Sequence, residues 1–330
     1  MSFSLLAGKN HSHDQFIMSS VNNFLSYTST GLYCPAGDFY IDPKRPVHKA
    51  VISHAHGDHA MPNSGNIYTT RTTQYIMNRR FKNSLRSRFH EINFRETFYL
   101  NDVAITFYPA GHMLGSAMIL MEYKNERYLF TGDFKLQEDP SCEATEIVQA
   151  DYLITETTFA HPQHLHPDPV QEIKKLNELT DQNILLGAYS VGKAQRLTHL
   201  VSTHCSNKKL LVHNEIVKFH DVYQQAGVNL GKWERYTRQE FKKENNCVYI
   251  LPPNWFHRFA GKESYKVFAT GWKHAFTKCD SVIHISDHAD WNDLLKFIDL
   301  TKPKIVFTLH GDGSTLKEHL KDKIEVRLLN

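Results

Sequence analysis

The run His54-Ala55-His56-Gly57-Asp58-His59 puts three imidazoles and one carboxylate into six residues, directly after the apolar stretch Ala50-Val51-Ile52-Ser53. An apolar run that ends in a Gly-containing turn reads as a buried strand opening into a tight loop. Imidazole nitrogen and carboxylate oxygen are the usual ligands of Zn²⁺ and similar borderline ions. Four such groups exceed what one tetrahedral catalytic ion takes while keeping a position open for water, so the loop points to two metal ions. A solvated His-rich loop is the competing reading, since 21 of the 330 residues are His. The interleaved Asp and Gly, and the strand that feeds the loop, favour metal.

The same pattern recurs along the chain. Val103–Tyr108 leads to His112, the hairpin Ala117–Tyr123 and Arg127–Phe130 empties toward Asp133, and Tyr152–Thr155 ends at Glu156. After a long interval, Ser281–Ile285 precedes His288 and Lys304–Thr308 precedes His310. One His after a strand is usually structural; several ligand-type residues at strand ends bring one edge of a sheet around one site. Between these segments the texture changes. A Pro/His-rich linker over 161–169 opens a region of helical patterns (170–179, 194–205, 215–226) alternating with short strands (184–186, 210–212), as in a small α/β unit. The expected organisation is therefore 1–160 as the first part of the metal-bearing domain, 161–280 as an insertion and 281–330 as its second part. Further expectations are a helix over 72–81, a short strand in 37–43, and a helix from Asp290 with Leu294, Leu295 and Ile298 on one face. Residues 1–30 are weakly patterned, and His11-Ser12-His13-Asp14 reads as surface.

A net charge of +3 selects no partner, but its distribution is uneven. No acidic residue lies between Asp58 and Glu91, where Arg71, Arg79, Arg80, Lys82, Arg86 and Arg88 all fall. Such a stretch follows a phosphate backbone or forms a solvated helix face. Five scattered Cys without a C-x-x-C pair suit reduced thiols, and no apolar run approaches the roughly 20 residues of a membrane span. With no secretory signal pattern at Met1–Asn10, a soluble cytoplasmic protein is expected. Gly187-Ala188-Tyr189-Ser190-Val191-Gly192-Lys193 imitates a phosphate-binding loop, but Ala194 stands where a Ser or Thr would ligate Mg²⁺. An ATPase is thereby discounted. Gly192 and Lys193 remain candidates for holding a nucleic-acid phosphate at a helix start.

This order of residues, completed by Glu156, His288 and His310, resembles the metallo-β-lactamase superfamily and, within it, the β-CASP nucleases. Tyr33-Cys34-Pro35-Ala36-Gly37-Asp38-Phe39-Tyr40-Ile41-Asp42-Pro43, Ser286-Asp287-His288-Ala289-Asp290-Trp291 and the 187–197 stretch resemble the ligase-associated DNA-damage-response exonucleases of bacteria. The resemblance implies an α/β fold: a four-layer αββα sandwich with an inserted small α/β cap. It implies that His54, His56 and His112 hold one ion and that Asp58, His59 and His310 hold a second, with Asp133 bridging. Asp42 would orient a ligand His, and His288, hydrogen-bonded to Glu156, would protonate the leaving oxygen. The ions implied are two Zn²⁺, with Mn²⁺ as the substitute. The substrate implied is DNA, cut as a 5′-to-3′ exonuclease in repair, with a functional link to a DNA ligase and other repair enzymes. A β-CASP ribonuclease, a small-molecule hydrolase and a non-catalytic DNA-binding module are the alternatives. The cap of about 120 residues is shorter than in RNA-processing relatives, and no RNA-binding module is expected after it.

Overall fold

In the run Ala117-Met118-Ile119-Leu120-Met121 no position is polar, and every side chain is buried. Successive residues of a strand face opposite ways, so such a run belongs in a sheet covered on both faces. Ala117, Ile119 and Met121 join Phe39, Ile41, Val51, Phe107 and Phe130 in one core, whereas Met118 and Leu120 pack outward with Phe134, Leu294 and Phe297. Truncating a core ring such as Phe107 would cost about 3–5 kcal/mol.

The architecture is seen in a computed structural model that describes residues 17–82, 85–260, 263–273 and 278–329. The His11–Asp14 run lies outside the described residues. One seven-stranded sheet takes its strands in chain order from Ile17–Val21 to Arg88–Glu91, antiparallel at its start and parallel from Phe39–Ile41 onward. The second runs from Glu325–Leu328 through Ile305–Leu309, Tyr152–Glu156, Glu126–Phe130, Ala117–Tyr123 and Val103–Pro109 to Thr97–Leu100. Helices Trp291–Thr301 and Ser314–Leu320 cover its outer face through Leu294, Phe297, Ile298 and Leu316. Helix Arg71–Phe81, capped by the Thr70 hydroxyl, covers the outer face of the first sheet with Ile76 and Met77. This is the expected αββα sandwich.

A third sheet of six parallel strands is built from Glu234–Arg235, Lys209–Val212, Cys247–Leu251, Ile184–Gly187, Tyr265–Ala269 and Ser281–Ile283. Its two faces carry separate apolar clusters, one with helix Lys193–His204 and the other around Phe241, Tyr249 and Phe256. Because Ser281–Ile283 pairs with Tyr265–Ala269, this sheet reaches three residues past position 280. Two expectations differ in detail. The 170–179 helix is helical only over Pro169–Lys174 and continues as a 3₁₀ turn over Lys175–Glu178. Within 1–30, Ile17–Val21 and Leu25–Thr28 pair as an antiparallel edge. Strands this short show too few alternations for their period to stand out.

Candidate metal centre

The strand ends Val51, Pro109, Phe130, Glu156 and Leu309, from both sheets of the sandwich, converge on one place. The loop after Val51 delivers His54, His56 and His59; a turn holds it, with His59 N and Ala60 N both donating to His56 O. His112 arrives after Gly111, whose φ of +70° and close Lys135 carbonyl leave no room for a Cβ. Asp133 follows a third strand end.

Hydrogen bonds fix which nitrogen of each ring faces inward. His112 Nδ1 donates to Asp287 O at 2.7 Å, and His56 Nε2 donates to Val191 O at 3.1 Å. With each ring's proton committed to a carbonyl, His112 Nε2 and His56 Nδ1 present lone pairs to each other at 2.9 Å. That contact is repulsive unless a cation draws both pairs. His54 Nε2 is buried and has no hydrogen-bond partner among the described residues. Burial holds the pKa of His54 and His112 well below the ordinary imidazole value and lowers that of His56, which keeps them neutral and able to ligate. Donor atoms of His54, His56, His112 and Asp133 all lie within 4.8 Å of one another. The donor set fits a divalent metal ion.

Asp133 divides its two oxygens. Oδ2 lies 3.5 Å from His54 Nε2 and 3.7 Å from His112 Nε2, while Oδ1 lies 3.5 Å from His59 Nε2. Burial would raise its pKa, but His59, His288, His54 and His112 around it hold it well below the usual carboxylate range. His59 Nδ1 meets Asp42 Oδ2 at 2.8 Å, and Asp42 Oδ1 accepts from Ser53 N at 2.7 Å. Burial disfavours a charged His59, yet Asp133 and Asp42 outweigh it and raise the pKa to about 10. The same two carboxylates would favour a metal cation beside that ring.

Asp58 and His310, expected to complete a second site, flank His59 at the rim. Asp58 Oδ2 is 3.8 Å from His59 Nε2 on an exposed side chain, and the His310 ring centroid is 4.9 Å from that of His59. His310 adopts φ +52°, an unusual backbone for a non-Gly residue. Among the described residues, neither belongs to a group with donors all within 4.8 Å. Opposite them, His288 Nδ1 lies 2.8 Å from Glu156 Oε2 and 3.9 Å from Asp133 Oδ2.

A cavity of about 510 Å³ opens on the centre, lined by His56, Asp133, His288, Arg80, Tyr189 and Val191 among others. Of the basic candidates, Arg80 therefore reaches the site, while Arg79 is exposed on the same helix and does not line this cavity. Lys193 corrects an expectation. Its buried ammonium donates to Ile285 O at 3.0 Å and sits 3.8 Å from Asp287 Oδ2, so it braces the 285–287 segment instead of offering itself to a phosphate. Gly192, at φ +79° with the Met113 Cβ 3.2 Å from where its own would stand, allows this turn to press against the metal loop. Sequence reasoning also missed Arg196. Fully buried, it lies 3.5 Å from Asp139 and 3.6 Å from Asp287 and donates to Ser286 O. A lone Arg inside a helical pattern carries no signal of that role.

Comparison with known proteins matches the chain to metal-dependent hydrolases. Residues 34–187 match the β-lactamase superfamily domain, and residues 277–329 match the Zn-dependent metallo-hydrolase RNA specificity domain. The chain is 30% identical over 314 residues to a "probable DNA ligase" of Opitutus terrae, covering 89% of this chain and 30% of that protein. It is 34% identical over 114 residues to the endoribonuclease ysh-1 of Neurospora crassa, covering 32% of this chain and 13% of that one. Over 297 residues it is 23% identical to the cleavage and polyadenylation specificity factor subunit 3 of Dictyostelium discoideum, covering 69% and 38%. The chain thus spans well under half the length of these relatives. A crystal structure of a protein of unknown function from Enterococcus faecalis V583 shares the fold, with a TM-score of 0.61, 15% identity, and coverage of 86% of this chain and 79% of that one. Among the described residues no helix is long and apolar enough to cross a membrane.

Proposed function

Because the chain belongs to the metallo-β-lactamase superfamily, in its β-CASP nuclease branch, we propose that it is a two-metal DNA phosphodiesterase that removes nucleotides from a 5′ end. The observation that carries the reading is the pair of imidazole lone pairs facing each other at 2.9 Å beside Asp133. The likeness across 89% of this chain to part of a relative named as a DNA ligase supports DNA as substrate and a link to ligation and repair. The five free cysteines suit a reducing, cytoplasmic setting.

His54, His56, His112 and Asp133 would hold one Zn²⁺, and His59, Asp58 and His310 would hold a second that shares Asp133; Mn²⁺ suits the same donors. Such ions, when bound, lower the pKa of a water and neutralise charge on a phosphate. Asp42 fixes the His59 ring so that Nε2 faces Asp133. His288 is the proton donor. Burial opposes its charge, but Glu156 and then Asp133 raise its pKa to about 9 in the metal-free chain. Its Nδ1–H is held by Glu156, which leaves the Nε2–H for the leaving oxygen. Arg80 offers a guanidinium to a phosphate lying in the adjoining cavity.

A ribonuclease is the second reading, favoured by the match of residues 277–329 to an RNA specificity domain and by relatives named as endoribonucleases. DNA and RNA of one sequence, labelled separately at each end and incubated with the zinc-loaded protein, test both. Mononucleotide released at once from a 5′ label on DNA is the expected result. Cleavage of RNA alone would replace the proposal with the ribonuclease. Inertness with zinc and manganese would leave only a metal-stabilised binding module.

A further inference from the structure

Thr270-Gly271-Trp272 leaves the end of the third sheet's strand Tyr265–Ala269 and meets the segment that follows Glu156. A Cβ on Gly271 would stand 2.6 Å from the Phe159 ring and 2.8 Å from Ser286 Oγ, so the backbone there lies directly on its neighbours. Trp272 is pushed outward and is 48% exposed. Its ring rests 4.7 Å from Phe159 and 5.3 Å from His164, and Phe159 in turn lies 6.1 Å from His288. One ring thus separates Trp272 from the proposed proton donor. Trp272 and His164 line a cavity of about 330 Å³, with the buried Phe159 behind them, and its wall also includes Thr158, His161, His310 and Asp312. His310 connects this cavity to the metal centre.

The lining of the cavity suits a base, although Lys273 lies close enough to His164 to add to the lowering of its pKa by burial. Among its described lining residues there is no Lys or Arg, and the Asp312 carboxylate would repel an anion. An exposed indole next to hydroxyl, imidazole and carboxylate groups offers a π-face with hydrogen-bond acceptors at its edge, which suits the flat body and N–H groups of a nucleobase. We propose that Trp272 and His164, with the Trp272 ring backed by the buried Phe159, form a stacking subsite for the nucleobase beside the cleaved phosphate, on the His288 side. The subsite rests on the reading of the chain as a nucleic-acid phosphodiesterase. Stacking tolerates any sequence, because every base presents a π-face.

Single-turnover cleavage by the zinc-loaded full chain tests it, with oligonucleotides that carry an abasic sugar on one or the other side of the cleaved phosphate. For the wild type, loss of the base on the His288 side slows cleavage between about 5-fold and about 100-fold, the range that base–aromatic stacking supports. Loss of the base on the other side leaves the rate unchanged. Trp272→Ala slows cleavage of the intact strand by a similar factor and no longer distinguishes it from the abasic one, while Trp272→Phe keeps most of the rate. Unchanged metal content and far-ultraviolet circular dichroism show that the variants are folded. A wild type indifferent to both abasic positions, or a Trp272→Ala that still discriminates, overturns the subsite and leaves the phosphodiesterase intact. A wild type that cuts neither DNA nor RNA overturns both.

Discussion

The Nδ1 of His288 stands 2.8 Å from Oε2 of Glu156, and Glu156 is itself fixed by the Phe134 amide at 2.8 Å and the Thr158 hydroxyl at 2.6 Å. A carboxylate held this way sets both the direction and the charge of the imidazole. On the proposed reading, replacing the ring would remove a proton source and leave the ligands in place. His288→Ala is therefore expected to lower single-turnover cleavage by about 10²–10⁴-fold with metal content unchanged. Glu156→Gln, which keeps the shape and loses the charge, lowers it less. Metal analysis beside the kinetics decides the role, because loss of an ion in His288→Ala would make His288 a ligand.

The donor arrangement predicts two zinc ions per chain on elemental analysis of the purified protein. Asp133 serves both His54 and His59, so Asp133→Asn is expected to lose ions from both sides of the centre. Chelation lowers the thermal midpoint, since an ion that binds only the folded chain stabilises it by about 2.7 kcal/mol when present at 100 times its Kd. A midpoint unaffected by chelator would contradict the assignment.

Arg196 is buried between Asp139 and Asp287, and Lys135 adds a second cation 2.9 Å from Asp139. Burial would raise the Asp139 pKa, but Lys135 and Arg196 overcome it and hold the carboxyl well below its ordinary range. Removing the guanidinium takes a cation from two buried carboxylates and leaves Asp139 to Lys135 and Asp287 to Lys193, so Arg196→Leu is expected to destabilise the chain by less than the about 3–5 kcal/mol of a fully unpaired buried charge. The double variant Arg196→Leu/Asp139→Leu loses less than the two single losses added together. Urea midpoints of the four proteins measure the coupling.

His220 accepts or donates between Gln195 at 3.1 Å and Thr198 at 2.9 Å, away from the metal centre. Burial lowers its pKa to about 3, with only a weaker opposing contact from the Ile216 backbone. The folded state therefore binds fewer protons than the unfolded one, whose His titrates near pH 6.5. The contribution of His220 is complete above that pH and is lost as pH falls from there toward 3, at about 1.4 kcal/mol per unit. In His220→Gln this part of the slope disappears. Thermal midpoints of the zinc-loaded proteins between pH 7.5 and 5 provide the comparison.

How far the site could be read in advance depended on the kind of group involved. His54, His56, His112 and Asp133 stand close behind apolar strands, and side chains in that position have few ways to point. The strands 117–123 and 126–130 are long enough for both buried faces to show. The groups that orient the rings are another matter. Val191 and Asp287 act on His56 and His112 through backbone carbonyls, which every residue possesses. Lys193 opens a helix in the same way whether it faces water or the interior, so only its burial reveals it as a brace. Phe159 and Trp272 lie more than a hundred residues apart, and nothing local announces that their rings meet.

Val191 belongs to the turn that carries the third sheet's chain from Ile184–Gly187 into helix Lys193–His204, yet its oxygen steadies a ring of the loop that begins the first sheet's site. The parts of the cavity wall that carry His56 and Val191 are consequently not independent. A nucleic-acid strand leaning on Tyr189 or Ser190, which line the cavity, would push on the peptide next to that oxygen, one hydrogen bond from His56. Were nucleic acid to seat in the cavity as proposed, its fit and the hold of His56 on an ion would be linked through that one carbonyl.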